Sequence, residues 1–132
     1  MPHFHIEYSG NLEDVIDMGG LCECIRATAA DIETFPTAGI RVRATRVDHY
    51  AIADGKPHHG FIDILVRLRA GRPADVKKQA TQCIFEAAEA FLAPAFTHHS
   101  LALSLEMRDI DPELSPKTGT IRDHLDATPQ ES

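Results

Sequence analysis

Phe4, Ile6 and Tyr8 alternate with His3, His5 and Glu7, a two-residue period that predicts a half-buried strand at the start of the chain. Ser9-Gly10-Asn11 closes this strand, and Gly19-Gly20 predicts a bend. Leu21, Ile25, Ala29 and Ile32 then recur at helical spacing, with Thr28 on the same face, which predicts a helix through about residue 33. Phe35-Pro36-Thr37-Ala38-Gly39 breaks it. A long strand is predicted over 40–53, with Ile40, Val42 and Ala44 on one face and Arg41, Arg43 and Thr45 on the other.

The second half repeats this order. Ala53-Asp54-Gly55-Lys56-Pro57 reads as a turn. From Phe61 to Arg69, Ile62, Ile64, Val66 and Leu68 alternate with Phe61, Asp63, Leu65 and Arg67, the clearest strand in the chain. Gly71-Arg72-Pro73-Ala74-Asp75 opens a second helix, with proline in the first turn and an acid near the positive end of the dipole. Val76, Ala80, Cys83, Ile84, Ala87 and Phe91 are predicted to form its buried stripe, and Pro94 to end it. Leu101, Leu103, Leu105 and Met107 line one side of a last strand, 101–108.

Strand–helix–strand, turn, strand–helix–strand predicts an α+β fold of two fused β-α-β units, about 2–53 and 60–109, within one domain over 1–110. Each unit should be a right-handed crossover with parallel strands. Both helices should lie on one face of a four-stranded sheet. The other face would then expose Phe61, Leu65 and similar residues, too apolar for a monomer, and an oligomer packing sheet on sheet would cover it. The polar, proline-containing stretch 111–132 reads as an extended tail, with one helical turn near Ile121 to Leu125, that is either disordered or wrapped on a neighbouring subunit.

Composition narrows the function. At 132 residues and 43% hydrophobic, the chain can build one core without staples. Its 20 acidic and 13 basic residues leave a net charge of -7, which argues against a nucleic-acid or anionic-membrane partner. An anionic substrate would need basic groups gathered locally against that field. Cys22, Cys24 and Cys83 are odd in number and lack a Cys-x-x-Cys spacing, so they read as free thiols rather than a zinc or redox site, with Cys22 and Cys83 in the helix cores. With no apolar run near ~18 residues and no signal peptide, a soluble cytoplasmic chain is expected.

Chemistry enters at Pro2. Removal of Met1 would leave a secondary amine at the head of a strand, whereas a retained Met1 leaves an amide nitrogen with no basicity. A free α-amino group sits near ~8. Burial and nearby guanidinium groups would lower it toward working pH, as a general base requires. Arg41 and Arg43 on the second strand and Arg72 at the start of the second helix are the candidate guanidinium groups, and they would also grip a carboxylate bidentately. A solvated strand face for the first two and an ion pair of Arg72 with Asp75 are the plainer readings. Arg72 follows a strand at a helix start, a setting that suits an anion. Arg43 reads as part of a solvated strand face. His3 and His5, at i, i+2 on one strand face, could ligate a metal but fit an interface or solvent better; His58-His59 and His98-His99 read as surface turns. No Ser/His/Asp order stands out.

Met1-Pro2-His3-Phe4 opening a strand, Phe35-Pro36-x-x-Gly39-Ile40-Arg41-x-Arg43, Ala53-Asp54-Gly55, and Ala70-Gly71-Arg72 before a helix follow one another in an order that resembles the 5-carboxymethyl-2-hydroxymuconate isomerase family of the tautomerase superfamily. The likeness spans roughly 2–110 and, more loosely, Leu114-Ser115-Pro116-Lys117; the stretch from Phe61 to Phe91 also resembles the short unit of 4-oxalocrotonate tautomerase. The resemblance implies a tautomerase-like homotrimer acting on a small-molecule carboxylate. Pro2 would be the catalytic base, Arg41 and Arg72 would hold carboxylates, and no metal or organic cofactor would be needed. It further implies isomerisation of 5-carboxymethyl-2-hydroxymuconate to its 2-oxo-3-ene isomer in aromatic-acid breakdown. A promiscuous keto–enol tautomerase, or a non-catalytic trimer that binds carboxylates or a partner protein, stays open beside it. Pro116 to Ile121 departs from the aromatic, amide-rich segment of better-studied members.

Overall fold

The structure, a computed structural model, describes residues 2–125, so the processing of Met1 and the end of the predicted tail, 126–132, lie outside the described residues. The chain runs β1 (His3–Ser9), α1 (Met18–Ala30), β2 (Arg41–Val47), β3 (His59–Arg69), α2 (Ala74–Phe91), α3 (Ala93–His98) and β4 (Ser100–Ile110). The four strands form one sheet in the order β2-β1-β3-β4. β1 pairs with β2 and β3 with β4 in parallel, while β1 and β3 run antiparallel at the centre. The two β-α-β units are thus joined strand to strand.

The core lies between the sheet and the helices. Phe4, Ile6 and Tyr8 of β1 stand opposite Val66, Ile64 and Ile62 of β3, and all six are buried. Leu21, Ile25 and Ala29 of α1 and Ala80, Ile84 and Ala88 of α2 close over them. Each fully buried Ile or Phe contributes roughly 1.5–3 kcal/mol. Phe35, in the segment between α1 and β2, meets Phe4 edge-to-face with ring centroids 5.3 Å apart.

Local chemistry moves several boundaries away from the sequence expectation. Gly19-Gly20 does not bend the chain; both glycines lie in the first turn of α1. The Asp17 carboxylate accepts the Gly20 N–H at 2.9 Å, and a Cβ on Gly20 would come within 2.5 Å of that carboxylate. β2 stops at Val47, not residue 53, because its register partner Ser9 is the last residue of β1 and an outer strand has no second neighbour to pair with. Pro94 does not end α2, which closes at Phe91; it occupies the first turn of α3, where its missing N–H costs nothing. Leu92, buried between the two helices, marks the break. Cys83 is exposed rather than core, since the buried line of α2 runs Ala80–Ile84–Ala88 and leaves it to one side.

The helix-free face of the sheet also differs. Phe61 and Leu65 are half-buried there, but their neighbours on that face include His3, His5, Glu7, Asp63, Arg67 and Glu106. This face carries charges beside those two residues and is not the apolar surface that the sequence predicts. After β4 the described chain makes two short 3-10 turns, Pro112–Leu114 and Ile121–His124, the second where a helical turn was predicted. Among the described residues, no helix is long and apolar enough to cross a membrane.

Candidate active site

Strand directions decide which residues meet. With β1 parallel to β2 and antiparallel to β3, the starts of β1 and β2 and the ends of β3 and β4 share one edge of the sheet. Pro2 precedes β1, Arg41 begins β2, Arg72 follows β3 by three residues, and the tail leaves β4 there. All three predicted site residues therefore fall at one edge, though they are far apart in sequence.

Pro2 is buried, and its carbonyl accepts the Arg41 N–H at 3.1 Å. That bond seats the first residue of the described chain against the start of β2. The Arg41 guanidinium donates to the Gly39 carbonyl at 2.8 Å, which aims it back along the Pro36–Gly39 turn. A cavity of about 320 Å³ opens there, lined by Pro36, Gly39 and Arg41 and, from the tail, by Lys117 and Arg122. Arg72 is half-buried, and its guanidinium donates to the Arg69 carbonyl at 3.0 Å. Gly71, at φ +122, makes the turn that carries the chain from β3 to Arg72, a conformation L side chains resist. Arg72 does not line the Arg41 cavity. The single chain joins Arg41 to Pro2 through the backbone and brings Arg72 only to the same edge; Pro2 itself lines neither the Arg41 cavity nor its neighbour.

A second, smaller cavity of about 120 Å³ lies alongside, lined by His3, Arg67, Arg69 and, again, Lys117. Sequence reasoning passed over Lys117, Arg122, Arg67 and Arg69 as site residues. Lys117 lay within the segment quoted for the family likeness; the others carried no local signal, because only the sheet order brings them in.

His3 and His5 stand on the open face with ring centroids 6.0 Å apart. The Arg43 guanidinium reaches His3 Nδ1 at 3.3 Å and His5 Nε2 at 2.6 Å, and Arg67 Nε donates to the same His5 nitrogen at 3.3 Å. Guanidinium groups only donate, so both imidazoles must accept and are therefore neutral. Burial first, then Arg67, Arg43 and Arg41, pushes His3 down from 6.5 to about 4. Burial, Arg43 and Arg67 lower His5 as well, against a smaller opposing effect of Glu7. The described residues hold no cluster of three or more His, Cys, Asp or Glu able to hold a metal.

The opposite edge contains a contact that the order of the chain did not suggest. His59 Nδ1 meets Ser100 Oγ at 2.6 Å and its Nε2 meets Asp54 Oδ1 at 2.8 Å. His59 is thus no free surface turn. This chain of contacts pins the loop after β2 to the starts of β3 and β4, at the end of the sheet away from Pro2.

Comparison with known proteins puts this geometry in context. Residues 2–125 match the family model for 5-carboxymethyl-2-hydroxymuconate isomerase. The chain is 33% identical over 121 residues to the 5-carboxymethyl-2-hydroxymuconate Delta-isomerase of Escherichia coli, covering 92% of this chain and 96% of that one. It is similar to a crystal structure of a 5-carboxymethyl-2-hydroxymuconate delta-isomerase, with TM-score 0.89, 31% identity and 97% and 95% of the two chains covered. A fused 4-OT protein described as a symmetric trimer shares the fold at TM-score 0.60 and 17% identity, over 83% of this chain and 85% of that one.

Proposed function

This chain belongs to the 5-carboxymethyl-2-hydroxymuconate isomerase family, and on that premise we propose that it isomerises a dienol polycarboxylate, 5-carboxymethyl-2-hydroxymuconate itself or an acid of that class. The observation that carries the reading is that buried Pro2 is hydrogen-bonded through the backbone to Arg41, and Arg41 lines a cavity with Lys117 and Arg122 at the same sheet edge.

With Met1 removed, the Pro2 nitrogen takes the proton of the 2-hydroxyl group. The C2–O bond becomes a carbonyl, the 2,3 double bond shifts to 3,4, and the former 4,5 double bond accepts the same proton at C5. Atoms balance, and no oxidant or reductant enters. Burial of Pro2 disfavours the protonated amine, and a guanidinium brought close with the substrate would add to that, which keeps it able to accept. Arg41, and Arg72 from this or a neighbouring copy, hold carboxylates and stabilise the dienolate charge that develops in transit.

Assembly as a homotrimer belongs to the same proposal. Among the described residues β2 and β4 are the outer strands, each with one edge that no other strand pairs. In the tail Leu114 is 80% exposed, and Ile121 and Leu125 are exposed as well, apolar side chains that a second copy would cover.

The test starts with mass spectrometry of the purified protein, which should show a chain beginning at Pro2. Pro2→Ala, which keeps only a primary amine, should lower kcat/KM on the muconate at least a hundredfold, the usual scale of a general base. Undiminished turnover by that variant, or an intact Met1 in active protein, removes Pro2 as the base. Phenylenolpyruvate run beside the muconate separates a promiscuous keto–enol tautomerase from a muconate isomerase.

A further inference from the structure

The chain carries 20 acidic residues against 13 basic ones. Yet among the described residues neither the Arg41 cavity nor its smaller neighbour is lined by a carboxylate. Their charged lining is Arg41, Arg122, Lys117, Arg67 and Arg69, with His3 beside them and uncharged residues such as Pro36, Ile110 and Ile121 between. Elsewhere on the surface several cations stand beside acids: Arg26 with Glu23, Arg46 with Asp48, Lys77 with Asp109, Arg108 with Glu106. Among the described residues no acid is paired with Lys117 or Arg122. A chain with an acidic majority whose recess, among the described residues, has only cations for charged lining is arranged for an anion.

Lys117 is the residue the two cavities share. It is delivered by the extended segment Ser115–Thr120, which follows the 3-10 turn Pro112–Leu114 and precedes the turn Ile121–His124 that carries Arg122. The Asp111 carboxylate accepts the Glu113 N–H at 2.9 Å and the Asp111 carbonyl accepts the Ser115 hydroxyl at 2.6 Å, so the exit from β4 is set by local hydrogen bonds. Those bonds lead the segment back over the sheet edge. The tail is thus part of the recess wall.

We propose that Lys117 and Arg122 are specificity residues that bind the carboxylates remote from the reacting enol, and so select a substrate carrying two or more such groups over a monocarboxylate. The inference rests on the isomerase reading for its substrate class. The mechanism given above leaves one carboxylate next to the enol and two at the far end of the muconate. Two adjoining cationic cavities bridged by Lys117 suit an acid whose charges are spread along a chain. Lysine suits this place as a mobile point charge that can serve either side, whereas Arg122 and Arg41 offer fixed forks.

The test compares Lys117→Gln, Arg122→Gln and Lys117→Arg with wild type, and Lys78→Gln, an exposed position on α2, serves as the control for bulk charge. Kinetics are measured on the muconate and on phenylenolpyruvate. Lys117→Gln and Arg122→Gln should each lower the ratio of kcat/KM for the tricarboxylate over the monocarboxylate about tenfold, mainly through KM, as expected on losing one charged hydrogen bond. Lys117→Arg should restore most of it, and Lys78→Gln should leave the ratio alone.

Equal losses on both acids, or a Lys78→Gln effect as large, overturns the proposal. Calorimetric titration with propane-1,2,3-tricarboxylate gives a readout independent of turnover. Wild type should bind it, and both Gln variants should weaken binding about tenfold. If wild type turns over neither acid yet this binding pattern holds, the isomerase reading fails and the cationic recess stands. If binding is absent or insensitive to both substitutions, the recess fails whatever the turnover.

Discussion

His3 shows most directly how a single residue reports on its surroundings. Its side chain sits among Arg67, Arg43 and Arg41, and protonation would add a cation to a row of cations. With burial as the larger cause, the folded value is about 4 against 6.5 in a free chain. Between those values the unfolded chain binds a proton that the folded chain refuses. His3 therefore contributes stability above about pH 6.5 that is lost as pH falls towards 4. The His3 ring resonances should titrate with a midpoint near 4 by NMR, and Arg67→Gln should move that midpoint up. A midpoint near 6.5 would show that the arginines and burial do not act on this ring. A His3→Gln chain should lose less stability than wild type between pH 6.5 and 4 in denaturant titrations.

At the scale of an element, the two long helices begin differently. α1 is capped by Asp17, whose side chain accepts the Gly20 N–H, while α2 starts from Pro73 with no side-chain cap. In place of a cap, α2 carries Asp75 in its first turn, where a carboxylate favours the positive end of the helix dipole. α1 has no such substitute and also carries buried Met18 in its first turn. Asp17→Ala should cost about 1 kcal/mol in chemical denaturation, and Asp17→Asn much less. Equal stability of all three proteins would mean that packing of Met18 and Leu21 alone holds that turn.

On the scale of the whole molecule, the open sheet face is patterned by charge rather than by oil. His3, Arg41, Arg43 and Arg67 lie towards the Pro2 edge, whereas Glu7 and Asp63 lie further along. A second copy must meet these charges, and it must also meet two free strand edges and exposed Leu114. Edge pairing and burial of the tail both favour a closed ring over an isolated chain. Light scattering at tens of micromolar should return three chain masses. A value of one chain mass would leave the tail leucine and both edges uncovered and remove the trimer from the proposal.

The strands at Phe4–Tyr8 and Ile62–Leu68, the helices around Ile25 and Ile84, and their order along the chain follow from residue periodicity, since a period of two or 3.6 is a local property that burial on one face enforces. The family likeness was legible for the same reason: Pro2, Gly39-Ile40-Arg41 and Gly71-Arg72 are contiguous motifs. Sequence alone did not tell where β2 would stop, because Val47 is its last paired residue only through Ser9 of another strand. It did not show that Pro94 restarts a helix, or that Cys83 turns away from the core. Nor did it join His59 to Asp54 and Ser100, or bring Lys117 and Arg122 to Arg41. Those outcomes depend on strand order and direction, which set residues many positions apart side by side, and no period along the chain encodes such a distance.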